Sequence, residues 1–322
     1  MGDKMDKEKE RHSSETPLEF RLIGAIGLNA LIVVAEVVGG VVSGSLALLS
    51  DAVHNLSDVV ALIIAFVARR LGKRPPSHRH TYGLGRVEVM AAFFNSATIL
   101  VVGTLIIRSA VMRLMQPVPI LSGVMLAVAV IGLAANLFSV LLLKGHSHGD
   151  LNMRAAMLHL IQDTLSSVAV VVAALLSGWK YGPYLDPLVS ILVVVMVLFS
   201  GWQLLRDATR VLLEGTPEGL DLEALRKDIH QYVPGCGLHH VHVWELRPDQ
   251  RMLTAHLRVA DKPLSELETM VHQVRHRLQT HWAISHATLE PELVGCGRSE
   301  LLGSHLSSDT VLHQDIHHGQ IP

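Results

Sequence analysis

Two copies of one short pattern carry the residues with metal-binding chemistry. His54 and Asp58 form the first His-x-x-x-Asp pair, and His159 and Asp163 form the second. Residues four apart lie on the same face of an α-helix, so each pair presents one imidazole and one carboxylate to a single point. Two such helices side by side would supply two nitrogens and two oxygens, a tetrahedral set that suits Zn²⁺. The spacing therefore predicts a metal site between two helices.

The surroundings of both pairs favour a transport role over a structural one. Each pair lies in a long apolar stretch of a 322-residue chain that is 49% hydrophobic and only 17% charged. An ionisable side chain inside the hydrocarbon of a bilayer costs about 2.5–3.5 kcal/mol on insertion scales and commonly marks an ion path. A single His or Asp near an apolar run is more often a helix cap or a loop residue. Two pairs at identical spacing are poorly explained in that way.

Six apolar stretches are long enough to cross a lipid bilayer, which takes about 20 residues in a helix. They occupy residues 20–42, 45–67, 87–112, 121–143, 153–176 and 188–205. The second and the fifth carry the His/Asp pairs. Basic residues concentrate before the first stretch, after the second and after the sixth. The positive-inside rule then predicts that both termini are cytoplasmic.

The last third of the chain has the pattern of a small folded domain. Helical periodicity covers residues 220–232 and 264–278. Strand-like alternation covers residues 238–246, 252–259 and 287–293. The order αββαβ predicts an α+β cytoplasmic domain with its helices on one face of the sheet. The fold class is thus an α-helical polytopic membrane protein with a C-terminal α+β domain.

This pattern divides the chain into four parts. They are a disordered tail (1–18), a six-helix membrane domain (19–207), the cytoplasmic domain (208–294) and a second disordered tail (295–322). Both tails are predicted to be disordered because they are polar and lack periodicity.

Several functional classes lack support in the sequence. A net charge of −2 gives no case for nucleic-acid binding. The two cysteines, Cys236 and Cys296, provide no disulfide framework. The chain contains neither a phosphate-binding Gly-x-x-x-x-Gly-Lys-Ser/Thr loop nor a His-Glu-x-x-His motif. Four protein ligands would also leave no open position for a reactive water, so we predict that the protein is not an enzyme.

Several motifs of this chain are shared with one transporter family. They are residues 35–40 (AEVVGG), 45–54 (SLALLSDAVH), 79–83 (RHTYG), 154–159 (RAAMLH), 213–217 (LEGTP) and 242–244 (HVW). With them the chain resembles the cation diffusion facilitator family, and within it the bacterial CzcD/ZitB-type zinc exporters. The resemblance implies six membrane spans, a metallochaperone-like (αββαβ) cytoplasmic domain, a homodimer and a location in the bacterial inner membrane. Its transport site falls on the same four residues, His54, Asp58, His159 and Asp163.

The resemblance also implies a mechanism. The protein would move Zn²⁺, and Cd²⁺ as a second substrate, out of the cytoplasm in exchange for protons by alternating access. Imidazole binds a metal ion only when it is neutral, and carboxylates bind best when ionised, so protons and Zn²⁺ compete for the same atoms. Histidine titrates near physiological pH, which makes this competition usable. The competing hypothesis is a membrane metal sensor or receptor that signals through the cytoplasmic domain.

Further residues are candidates for supporting roles. Asp51 and Glu36 are accessory acids near the site, and Glu36 has two interpretations, a buried hydrogen-bonded carboxyl or a residue of the ion or proton path. The resemblance places secondary metal ligands in the cytoplasmic domain at His239, His256 and Glu292. His286 and Cys296 are additional candidates, and a structural role is an open alternative for each single histidine. Strand alternation sends His240 and His242 to the sheet face opposite His239. The resemblance also pairs Arg86 with Glu214 as a charge interlock that holds the dimer.

Overall fold

The computed structural model describes residues 26–72, 76–144, 151–248, 250–293 and 301–302. Inside its helices, the side chains of residues 65, 68–70, 72, 138–144 and 151–160 are outside the description. The chain divides into two compact units after Ala208. The predicted tail 1–18 lies outside the described residues, as does 295–322 apart from residues 301–302.

Among the described residues, the first unit consists of six α-helices. They are α1 (Ile26–Ser43), α2 (Leu46–Gly72), α3 (Arg86–Met115), α4 (Ser122–Lys144), α5 (Leu151–Leu176) and α6 (Gly182–Leu212). In the described part of the chain, α1, α2, α3 and α6 are long and apolar enough to cross a membrane. The helices α4 and α5 contain shorter apolar stretches, Ser122–Leu137 and Ile161–Leu176. This is the predicted helical membrane domain.

The sixth helix begins earlier than the sequence predicted. It starts at Gly182, whereas the apolar stretch was placed at 188–205. The difference arises from Asp186, a charged residue that the prediction assigned to a loop. Its side chain is buried within the helix bundle, where it accepts hydrogen bonds from the first turn of α2. A carboxylate with such partners is compatible with a membrane helix.

Small residues let the membrane helices approach closely. A Cβ atom added to Gly39 of α1 would lie 2.7 Å from a methyl carbon of Val128 on α4. The same addition at Gly103 of α3 would lie 2.7 Å from Leu198 on α6. Close backbone contact is how membrane helices gain packing energy without a hydrophobic driving force. An apolar cluster formed by α2, α4 and α5 then fixes the two helices with the His/Asp pairs; it contains Ala47, Leu48, Met125, Ala129, Val170, Ala173 and Ala174.

The second unit has the predicted αββαβ order. Its elements are α7 (Leu222–Tyr232), β1 (Gly237–Arg247), β2 (Gln250–Arg258), α8 (Leu264–Trp282) and β3 (Ile284–Glu292). The sheet order is β1-β2-β3, with β1 antiparallel and β3 parallel to β2. Both helices contribute to one core with the sheet, through Leu225 and Ile229 of α7 and Val274 and Leu278 of α8.

One described piece of the predicted C-terminal tail is in contact with this unit. The carbonyl of Leu301 accepts a hydrogen bond of 2.8 Å from the backbone N–H of Val241. The Leu301 side chain packs against the hydrophobic core of the unit. The prediction of a disordered tail is therefore wrong at this point, because Leu301 gains apolar contacts and a partner for its carbonyl.

Candidate metal site between two membrane helices

The helices α2 and α5 bring three of the four predicted ligands together. The Nε2 atom of His54 lies 2.8 Å from Oδ1 of Asp163 and 3.9 Å from Oδ2 of Asp58. One ligand atom from each of the three residues lies within 4.8 Å of the others. Two ligands of a tetrahedral zinc ion, each about 2.0–2.2 Å from it, are about 3.3–3.6 Å apart. The spacing of these side chains therefore suits a common divalent ion.

The fourth predicted ligand, His159, lies on α5 one helical turn before Asp163. Its side chain lies outside the described part of the structure. Its place on the helix agrees with the i, i+4 argument, and its role as a ligand stays a prediction.

A set of buried polar side chains joins the two ligand-bearing helices. The carboxylate of Asp51 on α2 accepts hydrogen bonds from the hydroxyls of Ser166 (2.7 Å) and Ser167 (3.2 Å) on α5. Asn136 of α4 donates to the Ser167 hydroxyl at 3.0 Å. Ser166 also donates to the backbone carbonyl of Asp163 at 3.0 Å. Such partners can orient metal ligands, and the supporting role of Asp51 stays a prediction.

The other accessory acid, Glu36, lies on α1 and is almost fully buried at 1% exposure. Both of its carboxylate oxygens accept hydrogen bonds from the side-chain amide of Asn55, at 2.9 and 2.8 Å. Asn55 is the neighbour of His54 on α2. The contact satisfies a buried carboxyl and links α1 to the ligand-bearing helix, so it is compatible with both interpretations of Glu36.

A cavity of about 490 Å³ adjoins the three ligands. His54 and Asp58 line it, and on α6 its wall runs from Val193 to Leu204. Those positions span about 16 Å of helix at 1.5 Å per residue. Polar side chains in its wall include Ser57, Gln162, Ser200 and Gln203. The cavity leads from the candidate site toward the side of the bundle that holds the C-termini of α2 and α6.

The cytoplasmic unit contains a second group of residues whose side chains are of the metal-ligating type. One ligand atom each of His239, His256 and Glu292 lies within 4.8 Å of the others. The Nε2 atom of His239 is 3.1 Å from Oε2 of Glu292, and His256 forms a close ion pair with the same carboxylate. His286, the other predicted ligand, is exposed on β3, opposite Met252 in the strand register, and is not part of this group.

The histidines of β1 depart from the predicted alternation. The register with β2 shifts between His239 and His242, and His240 has a left-handed φ of 51°. The His240 ring is 4.6 Å from that of His256, and the His239 ring is 5.4 Å from it. The expectation that His240 lies on the opposite face from His239 is therefore wrong. The bulge inserts an extra residue, which resets which face the side chains point to.

The charge pair proposed from the resemblance falls on two element ends. Arg86 is the first residue of α3. Glu214 follows the end of α6 in a left-handed conformation with φ of 58°. Pairing of these residues across a dimer stays a prediction.

Comparison with known protein families agrees with this geometry. The model of the cation efflux transmembrane domain matches residues 22–213. The model of the cation efflux protein cytoplasmic domain matches residues 217–293. The chain belongs to the cation efflux family.

Individual members of the cation efflux family are similar over nearly their whole length. Zinc transporter ZitB of Escherichia coli is 40% identical over 309 residues, 95% of this chain and 97% of that protein. The metal cation efflux system protein CzcD of Cupriavidus metallidurans is 36% identical over 90% of this chain and 92% of its own. A Bacillus subtilis relative named cadmium, cobalt and zinc/H(+)-K(+) antiporter is 34% identical over 87% of this chain and 91% of its own.

Some residues of the two sites were missed by the sequence analysis of this cation efflux protein. Glu290 lies with an oxygen 3.8 Å from Nε2 of His256. Its spacing of two from Glu292 on a strand places both on one face, and this signal was available. The amide of Asn136 and the hydroxyls of Ser166 and Ser167 left no such signal, because these residue types are common in membrane helices.

Proposed function

We propose that this protein is a secondary active exporter that moves Zn²⁺ out of the cytoplasm in exchange for protons. The observation that carries the proposal is the convergence of His54, Asp58 and Asp163 from two membrane helices. The ion would be held by these three side chains and His159. The printed names of the relatives, which include zinc transporters and an antiporter for cadmium, cobalt and zinc, support Zn²⁺ as substrate and Cd²⁺ as a second one.

The ligand set gives the proposed exchange a chemical basis. The imidazole of His54 binds a metal ion only after it loses its second proton, and a carboxylate binds best when ionised. The ion and the protons therefore occupy the site alternately. With the site facing the cytoplasm, Zn²⁺ binds and protons leave. With the site facing the other side, protons bind and Zn²⁺ leaves, as the helices rock about the fixed site.

The proposal includes an orientation. The protein is a multi-pass membrane protein, and we place it in the bacterial inner membrane with both termini in the cytoplasm, because the basic residues lie on that side. The cavity next to His54 leads toward the end at which α6 ends. In this orientation that end faces the cytoplasm, so the cavity is the loading path for the ion.

The cytoplasmic unit would serve as a dimerisation and metal-responsive domain. The family model of residues 217–293 carries the name cytoplasmic domain, and the group of His239, His256 and Glu292 supplies two nitrogens and a carboxylate. Such a mixed ligand set favours Zn²⁺ over harder ions. Metal bound here would act on the dimer and not on the transported ion.

Zinc flux into proteoliposomes tests the exporter proposal. The purified full-length protein is reconstituted with a zinc-sensitive dye inside, and flux is measured with and without a pH gradient of either sign. We expect flux that follows the proton gradient in wild type and is abolished in Asp163→Ala. Asp207→Asn, which removes a half-exposed carboxylate near the C-terminal end of α6 and outside the ligand group, is the control.

The same assay separates the exporter from the competing sensor. A sensor would bind zinc and show no flux in wild type. Flux of equal size with and without the pH gradient would contradict the exchange with protons and leave metal transport intact.

A further inference from the structure

A buried carboxylate at the start of α6 holds the start of α2. Asp186 is 2% exposed, and its oxygens accept hydrogen bonds from the Ser45 hydroxyl (2.5 Å) and from the backbone N–H groups of Leu46 (2.9 Å) and Ala47 (3.2 Å). These N–H groups belong to the first turn of α2, which has no partners for them within the helix. Asp186, about 140 positions away in the sequence, therefore caps the first two N–H groups of α2, while the Ser45 hydroxyl accepts from the N–H of Leu48 at 3.1 Å.

The third helix joins the same contact. Nη1 of Arg113, in the last turn of α3, lies 3.8 Å from Oδ2 of Asp186 and donates a hydrogen bond to the carbonyl of Gly44. The start of α4 is also attached, since the N–H of Leu121 donates to the carbonyl of Ser43 at 2.9 Å. We call Ser45, Arg113 and Asp186 the Asp186 clamp. The clamp lies at the end of the bundle at which α2, α4 and α6 begin, and we call this end the Gly44 end.

Packing between the candidate metal site and the Gly44 end is tight. Leu48, Met125 and Val170 are fully buried at 0% exposure. One helical turn beyond the clamp, the hydroxyls of Ser50 on α2 and Ser190 on α6 are 2.6 Å apart, and both residues are fully buried. The cavity at His54 leads in the opposite direction, along α6 toward Leu204. The structure is thus closed at the Gly44 end and has its cavity toward the other end.

Opening of the Gly44 end requires α2 and α6 to separate at their first turns. That movement breaks the hydrogen bonds to Asp186 and exposes a buried carboxylate and the first N–H groups of α2 to water. Hydrogen bonds to a charged group in a dry site are among the stronger polar contacts. They therefore stabilise the closed state of the Gly44 end and still allow it to open. Because Asp186 caps the helix that carries His54 and Asp58, separation also moves the ligands.

We propose that the Asp186 clamp is the gate on the release side of the transport site. In this view Asp186 is a positioning residue that acts through α2 and does not touch the ion. The proposal rests on the exporter function given above. The three residues of the clamp keep the Gly44 end closed, and none of them is a metal ligand.

Cysteine accessibility on both sides of the candidate site tests the gate. Ser190→Cys reports the Gly44 end, and Ser200→Cys, which lines the cavity, reports the other end. The full-length protein in nanodiscs is labelled with a water-soluble maleimide, and the rate at each position is read by peptide mass spectrometry. We expect Asp186→Asn to raise labelling at position 190 by about tenfold, the effect of losing a charge-assisted hydrogen bond, and to lower it at position 200.

Matched variants keep the result interpretable. Ser45→Ala removes the hydroxyl that donates to Asp186 and accepts from the Leu48 N–H. It should shift both rates in the same directions by a smaller factor, so it tests the gate if Asp186→Asn does not fold. Asp207→Asn should change neither rate. Unchanged rates in Asp186→Asn and Ser45→Ala, or a rise at both positions as local loosening would give, overturns the gate.

The gate and the exporter proposal fail in different ways. If wild type carries no zinc in proteoliposomes, the exporter function is wrong whatever the labelling shows. If wild type carries zinc while the two positions do not respond in opposite directions, the gate is wrong and the exporter function stands.

Discussion

His54 and Asp163 are in contact, with Nε2 and Oδ1 2.8 Å apart, although they are 109 positions apart in the sequence. They belong to different helices, α2 and α5. When an imidazole N–H donates to a carboxylate, its hydrogen lies between the same two atoms that would both bind a metal ion. Under the proposed function, this contact is where a proton and Zn²⁺ would replace each other.

Replacing the nitrogen ligand should change which metal ions are carried. His54→Asp converts a mixed site into an oxygen-rich one, and harder oxygen ligands favour Mn²⁺ and Fe²⁺ over Zn²⁺. We expect the ratio of Mn²⁺ to Zn²⁺ flux to rise by about tenfold or more, the factor that 1.4 kcal/mol of differential binding gives. Competition flux with Zn²⁺, Cd²⁺, Mn²⁺ and Fe²⁺ in proteoliposomes measures it.

The control for this change is Gln162→Asp, which adds a carboxylate to the cavity wall beside Asp163 without removing a nitrogen ligand. It should leave the ratio near that of wild type. An equal shift in both variants would mean that added negative charge, and not the loss of nitrogen, sets the selectivity.

The hydroxyl of Ser167 should matter for metal affinity although it is not a ligand. It donates to Asp51 and accepts from Asn136, so Ser167→Ala leaves two buried polar groups without this partner. Loss of such supporting contacts typically lowers metal affinity 10- to 100-fold, and we expect about tenfold in the zinc concentration for half-maximal flux. Ser200→Ala is the control, because that hydroxyl bonds to carbonyls of its own helix. Equal kinetics in the two variants would show that the Asp51 contacts do not support the site.

The ligand-bearing helices and the αββαβ order were predictable because each appears in the sequence as a local periodicity of residue types. The spacing of His54 and Asp58 gives a helix face, and alternation gives strands. The bulge at His240 was not predictable, because a left-handed residue other than Gly has no reliable sequence signal. Asp186 was assigned to a loop because its partners, Ser45 and Arg113, are distant in the sequence.

The cytoplasmic group should bind a metal ion independently of the membrane site. In an Asp163→Ala background, which removes a membrane ligand, we expect His256→Ala to abolish the remaining zinc binding of the full-length protein. His256 pairs with Glu292, and its ring centroid is 5.4 Å from that of His239, so its loss removes one of the two imidazoles of the group. Equilibrium dialysis with Zn²⁺ measures the stoichiometry.

The matched control is His286→Ala, an exposed histidine on β3 that is outside the group. It should retain the binding of the background protein. Loss of binding in His286→Ala but not in His256→Ala would place the cytoplasmic site elsewhere.

Acid should weaken the cytoplasmic unit through one carboxylate. Asp228 of α7 accepts two hydrogen bonds from the Arg277 guanidinium, at 2.9 and 2.6 Å, and one from the Trp282 indole at 2.8 Å. These donors, Arg277 first, lower the pKa of Asp228 from 3.8 to about 2. A carboxyl with a lowered pKa adds stability that is present above the unfolded pKa and is lost as the pH falls through the folded one. After allowance for solvent screening, we expect the contribution to be about 1 kcal/mol.

Hydrogen exchange of α7 and α8 in the full-length protein measures this contribution. Asp228→Asn should speed exchange relative to wild type at pH 5 to 7, since the carboxylate is then ionised in wild type. The difference should shrink below pH 4 and be small near pH 2, where Asp228 of the folded wild type is about half protonated, and it should vanish at lower pH. Asp261→Asn, at an exposed position before α8, should not change exchange at any pH. A difference between Asp228→Asn and wild type that persists unchanged to pH 2 would show that Asp228 contributes through packing and not through its charge.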